Sequence, residues 1–109
     1  MIHILENDDI LQLFDNQDYI KKVISKINNV CLHNIKEDIY IALPGGISTL
    51  SDIMNTIASN KPLLIYNIDG YYATLIDLLH EIEMTDTKQQ DVTIATSLQD
   101  IEIWLEKYI

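Results

Sequence analysis

The residues best suited to chemistry fall in two short segments, Pro44-Gly45-Gly46-Ile47-Ser48-Thr49 and Asn67-Ile68-Asp69-Gly70-Tyr71-Tyr72. Each follows an apolar run, which marks it as a turn leaving a strand. In the first, two glycines let backbone approach a ligand closely. The helix start behind them offers free N–H groups and a positive dipole end. Ser48 and Thr49 add hydroxyl donors, so a phosphate can be held there without a cationic side chain. The glycine pair also suits a plain tight turn, and by itself leaves both readings open. In the second segment, Tyr71 and Tyr72 are placed either to stack on a ligand's ring or, for one of them, to pack under the loop with its hydroxyl reaching solvent.

The elements that must position these segments are legible from periodicity. Residues 2–5 read as a short strand, and Glu6-Asn7-Asp8-Asp9 as a turn and helix cap. Apolar residues from Ile10 to Cys31 recur at helical spacing, with a break at Asp15-Asn16-Gln17-Asp18. Residues 38–43 form a nearly continuous apolar run, the look of a strand buried on both faces. Ser48 or Thr49 is placed to cap a helix in which Leu50, Ile53, Met54 and Ile57 share a face. A second buried strand spans 63–68 after Lys61-Pro62. Tyr72, Leu75, Ile76 and Leu79 then mark a helix running to about Met84. A polar loop (85–90), a short strand (92–95) and a helix over 98–108 complete the chain. Ile101, Trp104, Leu105 and Tyr108 lie on one side of that last helix. This alternation predicts an α/β fold: a small Rossmann-like parallel sheet of about four strands with helices on both faces. Crossovers are expected to be right-handed, with any ligand at the carboxyl ends of the strands.

Length and composition exclude much else. The 109 residues amount to one domain. Seven Lys+Arg stand against 17 Asp+Glu, a net charge of −10, which disfavours nucleic acid and an anionic membrane surface. No apolar run approaches a membrane span, and no signal peptide is expected. The single cysteine, Cys31, excludes an internal disulfide and a thiolate zinc cluster, and reads as a buried thiol in a cytoplasmic protein. His3, His33 and His80 lack metal-ligand spacing, so neither a metal nor a cofactor is expected. A phospho-receiver domain would need an acceptor aspartate where Ala42 or Leu43 stands, and a lysine where Thr96 and Ser97 stand.

The first segment, from Asp38 through Pro44-Gly45-Gly46-Ile47-Ser48-Thr49-Leu50-Ser51-Asp52, resembles the signature of the LONELY GUY (LOG) family, an apolar strand followed by P-G-G-x-G-T-x-x-E. Lys61-Pro62, Asn67-Ile68-Asp69-Gly70-Tyr71-Tyr72 and Leu75 are similar to that family's second motif segment. The likeness runs from Asp38 onward, about two-thirds of the chain, so residues 1–109 read as a single, truncated LOG-like domain. It departs from the pattern at Ser48, where the third glycine stands, and at Asp52, where a glutamate stands. Asn29 and Val30 occupy the places of an Arg-Lys pair. Among the acids at the strand ends (Glu6, Asp8, Asp9, Asp52, Asp69, Asp100), most read as helix caps, while Lys36 and Lys61 precede strands.

The resemblance implies nucleoside 5'-monophosphate phosphoribohydrolase chemistry. Pro44, Gly45, Gly46, Ile47, Ser48 and Thr49 would hold the phosphoribosyl group, Asp69, Gly70 and Tyr71 would border it, and Asp52 would face the sugar. With the arginine absent and Asp52 one methylene shorter than glutamate, it implies at most weak N-glycosidic hydrolysis. The alternative expectation is a non-catalytic protein that binds a partner, or that senses or sequesters a nucleotide-derived signal. A homodimer or a larger protein partner is expected in either case.

Overall fold

A computed structural model describes residues 2–7, 10, 22, 25, 29, 37–85 and 91–108. The helical pattern expected over residues 10–31 falls mostly outside the described residues, although Ile10, Lys22, Ser25 and Asn29 are helical. Asp8, Asp9, Cys31, His33, Lys36 and the loop at 86–90 also lie outside them.

The order is β1 (Ile2–Leu5), β2 (Ile39–Ala42), α1 (Ile47–Ala58), β3 (Leu63–Tyr66), a short 3-10 turn (Ile68–Gly70), α2 (Ala73–Thr85), β4 (Val92–Ala95) and α3 (Leu98–Glu106). The four strands among the described residues are parallel and lie in the order β1-β2-β3-β4, so neighbours in space are neighbours in sequence. Thr85, expected in the loop, is the last residue of α2.

Both central strands are buried on their two faces, as the continuous apolar runs require. Alternate residues of β2 serve opposite layers. Ile39, Ile41 and Leu43 pack with Leu64, Tyr66 and the α3 residues Ile101, Trp104 and Leu105. Ala42, Leu63 and Ile65 pack with Ile53 and Ile57 of α1 and with Tyr72 and Leu79. Thus α1 and α2 cover one face and α3 the other. Because β2-α1-β3 and β3-α2-β4 step the same way across the sheet with helices on the same face, the two crossovers share one hand. Among the described residues, no helix is long and apolar enough to cross a membrane.

The edge strand β1 is tied to β2 by side chains as well as by the ladder. His3 stacks on Tyr40 with ring centroids 4.6 Å apart, and its Nε2 donates to Asp38 Oδ1 at 3.1 Å. At the other end of the sheet, Ser97 caps α3 by accepting from the Asp100 amide at 3.2 Å. Asp100 Oδ2 in turn accepts from the Thr96 amide at 3.0 Å and the Thr96 hydroxyl at 3.3 Å. The strand-end acid Asp100 is therefore a capping residue.

Both carboxyls sit below their ordinary value of 3.8. For Asp38 the main cause is the His3 hydrogen bond; for Asp100 it is the Thr96 amide. A carboxyl whose pKa is lower folded than unfolded binds protons more readily in the unfolded chain. Its contribution is present above about pH 4 and is lost as pH falls through the folded value. Thermal melts between pH 7 and 3 should show Tm falling below about pH 4, with a shallower fall in the Asp38→Asn/Asp100→Asn double variant. An identical slope in that variant would exclude these two groups as the cause.

Candidate functional site

The turn after β2 is closed by a contact that only glycine permits. Leu43 donates its amide to Leu5 O at 2.9 Å, which aligns the ends of β1 and β2. Pro44 and Gly45 are buried, and a Cβ placed on Gly45 would fall inside the side chain of Thr49. Gly46 is the N-cap of α1, extended at φ −93° and ψ −154°, and its carbonyl accepts from the Leu50 amide at 3.0 Å. Ser48 and Thr49, expected as caps, therefore lie inside the first turn of the helix. Glycine has no side chain to cap with, so the first amides of α1 gain no side-chain partner, and no acid stands in the first turn. Thr49 is 2% exposed, and its hydroxyl has no hydrogen-bond partner among the described residues. Ile47 and Ser48 are exposed.

The turn after β3 braces the first. The strand ends at Tyr66 rather than at Ile68, because Asn67 begins a tight turn. Asn67 Oδ1 accepts from the Tyr72 amide at 2.8 Å. Asp69 (φ 51°) and Gly70 (φ 73°) are both left-handed, a conformation that Asp tolerates and Gly adopts freely. Both are exposed. The turn delivers two adjacent tyrosines against the Pro-Gly-Gly loop. Tyr71 donates its hydroxyl to Gly45 O at 2.5 Å, and Tyr72 donates to Leu43 O at 2.6 Å. Their rings meet edge to face, with centroids 4.9 Å apart. Burial pushes the Tyr72 phenol well above its usual range, helped by Tyr71 and opposed by the Gly45 amide. Tyr72 is thus the tyrosine packed under the loop, but its hydroxyl serves the backbone instead of reaching solvent.

Helix α1 separates two grooves. Its buried side carries Thr49, Ile53, Thr56 and Ile57. One flank is apolar: Ile47 (83% exposed), Leu50 and Met54. Ile47 and Leu50 border a groove of about 460 Å³ that Gly45, Gly46, Tyr71, Tyr72, Thr74, Leu75 and Leu78 also line. The other flank carries Ser48, Asp52, Asn55 and Ser59 at helical spacing. There Asp52, Asn55 and Ser59 line a groove of about 290 Å³ with Leu5, Tyr40, Thr56 and Lys61. The structure thus brings Gly45, Gly46, Ile47 and Tyr71 together and places Asp52 on the far side of α1 from Tyr71. Lys61, which precedes β3 at the amino end of the sheet, shares the groove of Asp52 because α1 runs back along β2. The polar stripe Asp52–Asn55–Ser59 was the signal for that groove. Nothing local in the sequence signalled the hydroxyl contacts of Tyr71 and Tyr72. Among the described residues, no three of His, Cys, Asp and Glu gather as metal ligands would.

A parallel sheet with helices on both faces and a Gly-Gly turn opening a helix defines a Rossmann-like α/β domain. Within that class, the chain belongs to the family described as "Possible lysine decarboxylase", whose model matches residues 13–107. It is 30% identical over 84 residues (68% of this chain, 34% of the relative) to "Probable cytokinin riboside 5'-monophosphate phosphoribohydrolase LOGL5" of Oryza sativa subsp. japonica. It is 38% identical over 83 residues (67% of this chain, 33% of the relative) to LOGL6 of the same plant, which carries the same description. It is 30% identical over 81 residues (65% of this chain, 38% of the relative) to "Cytokinin riboside 5'-monophosphate phosphoribohydrolase LOG3" of Arabidopsis thaliana. The chain therefore spans little more than a third of the length of these relatives. No solved structure matches it at a significant level.

Replacing Gly45 by Ala should destabilise the domain by about 1–3 kcal/mol, the usual penalty of an overpacked contact. Adding Thr49→Ala should return much of that loss, because the added methyl then has space. Urea unfolding of the four members of this cycle measures the coupling. Purely additive effects would show that the Gly45–Thr49 contact does not limit residue 45.

Proposed function

We propose that this chain is a nucleotide-binding domain of the phosphoribohydrolase type, holding the phosphate of a nucleoside 5'-monophosphate on the first turn of α1. The observation that carries this reading is the state of that turn. Its amides at Ile47, Ser48 and Thr49 have no side-chain cap, and no acid in the first turn competes for them. A phosphate supplies acceptors for these amides and for the exposed Ser48 hydroxyl, and the helix dipole favours its charge. Pro44 and Gly45 form the floor, Gly46 gives the ligand close access to backbone, and Asp69, Gly70 and Tyr71 border the loop. Family membership supports the same ligand class, since the named relatives act on cytokinin riboside 5'-monophosphates.

In this reading Asp52 acts on the sugar. It lies four residues past Ser48 on the same flank of α1, one helical turn from the phosphate-binding amides. Cleaving an N-glycosidic bond builds positive charge at the anomeric carbon, which a carboxylate stabilises. Two features support hydrolysis that is weak at most. Aspartate holds its carboxylate back by one methylene, and a displacement of about 1 Å lowers rates by roughly 10²-fold. Exposed, helical Asn29 stands where the family pattern has arginine, removing a charged hydrogen bond of about 1.5–3 kcal/mol.

A second reading draws on the apolar flank of α1, where Ile47, Leu50 and Met54 are exposed beside Leu78 of α2. On it the scaffold is a non-catalytic interaction, sensing or sequestering protein whose second copy or larger partner covers that flank.

Calorimetry with AMP, coupled to chromatographic detection of free adenine, separates the two. The nucleotide reading expects AMP binding, slow base release that Asp52→Asn abolishes with affinity kept within a few-fold, and release about 10–100-fold faster in Asp52→Glu. No binding and no release would overturn it and leave the interaction reading standing.

A further inference from the structure

The Gly45–Gly46 peptide has the greatest intrinsic backbone freedom in the turn, since neither residue has a Cβ to limit its rotation. Among the described residues one side-chain group is seen to hold it: the Tyr71 hydroxyl, 2.5 Å from Gly45 O. In a trans peptide the carbonyl and the following N–H point in opposite directions. Anchoring Gly45 O on Tyr71 therefore turns the Gly46 N–H away from the tyrosines. Gly46 is the N-cap of α1, so its amide sits directly before those of Ile47, Ser48 and Thr49. We propose that Tyr71 is a positioning residue that fixes this peptide plane, so that the Gly46 amide joins the first turn of α1 in facing a bound phosphate. The anion half of this inference rests on the nucleotide reading above; the peptide-fixing half does not.

The division of labour between the tyrosines supports it. Tyr72 is 5% exposed and serves Leu43 O, one residue before the Pro-Gly-Gly turn, where the backbone still belongs to the strand end. Tyr71 is 41% exposed as a residue, and its hydroxyl makes a part-buried contact with Gly45 O, inside the turn itself. Both hydroxyls are aimed by one rigid turn, set by the Asn67–Tyr72 hydrogen bond and the left-handed pair Asp69-Gly70. The β3 turn thus acts as a template for the β2 turn.

The test compares the parent chain with Tyr71→Phe and Tyr72→Phe by thermal melting, by the amide NMR resonance of Gly46 without ligand, and by calorimetry with inorganic phosphate and with AMP. For Tyr71→Phe the expected result is a Tm within a few degrees of the parent and a displaced Gly46 resonance. Its affinities for phosphate and for AMP should fall by the same factor of about tenfold, the scale of one lost hydrogen bond. Tyr72→Phe, which leaves the Leu43 carbonyl without its hydroxyl partner, should lower Tm more than Tyr71→Phe does. A Gly46 resonance that stays in place in Tyr71→Phe would overturn the peptide-fixing role. A loss confined to AMP, with phosphate affinity intact, would overturn it in favour of stacking on the base. A parent chain that binds neither phosphate nor AMP would overturn the nucleotide reading and the anion half, while a displaced resonance would still establish that Tyr71 fixes the peptide.

Discussion

The turn between β2 and α1 closes because position 45 has no side chain. Thr49 occupies the space a Cβ would need, and it is itself sealed beneath the helix. That contact lets α1 start immediately after the strand, with Gly46 as its cap. The angle at which the helix leaves then decides what each of its sides meets. Ile53 and Ile57 fall on the sheet, Ile47 and Leu50 turn toward α2, and Asp52 turns toward β1. An apolar and a polar groove on opposite sides of one helix are thus a result of how closely residues 45 and 49 approach.

The chain's charge and its candidate phosphate site are compatible because they act over different distances. A net charge of −10 repels anions from afar, but that field is screened beyond about a Debye length of 8–10 Å. Backbone amides act at contact, and α1 places no carboxylate among them. Asp100, by contrast, is engaged by Thr96 and Ser97 at the end of β4, so this strand-end acid belongs to a cap. The distinction between the two helix starts is made by Gly46 and Ser97: one cap has a side chain and the other does not.

What the sequence reveals depends on the range of the interaction. The strands at 2–5 and 92–95 are legible to the residue because apolar runs bounded by polar residues depend on local pattern. The two-face burial of β2 and β3 is legible for the same reason. Cap identity at α1 is misread because Ser48 and Thr49 have good capping side chains, and only the tight Gly45 contact moves the helix start forward. The end of β3 is misread because Ile68 is apolar and buried, though it lies in a turn. The Pro-Gly-Gly loop and Asp52 are found together in one motif, yet α1 divides them between grooves, since Asp52 lies two residues, about half a turn of the helix, from Leu50. The tyrosine contacts span 26 and 29 positions, and no short pattern encodes them.

The strand order has a consequence for how the molecule assembles. Ile2 meets Ile39, Tyr40 meets Leu63, and Leu63 meets Val92, so among the described residues no strand pairs with a neighbour more than 37 positions away. Each new strand docks beside the one synthesised before it, and the growing edge moves in the direction of translation. Among the described strands, none must wait with both edges bare for a later one to return between its neighbours. Among these strands, loop-closure entropy is paid in similar steps. A sheet built in sequence order suits emergence from a ribosome, whatever ligand its strand ends later hold.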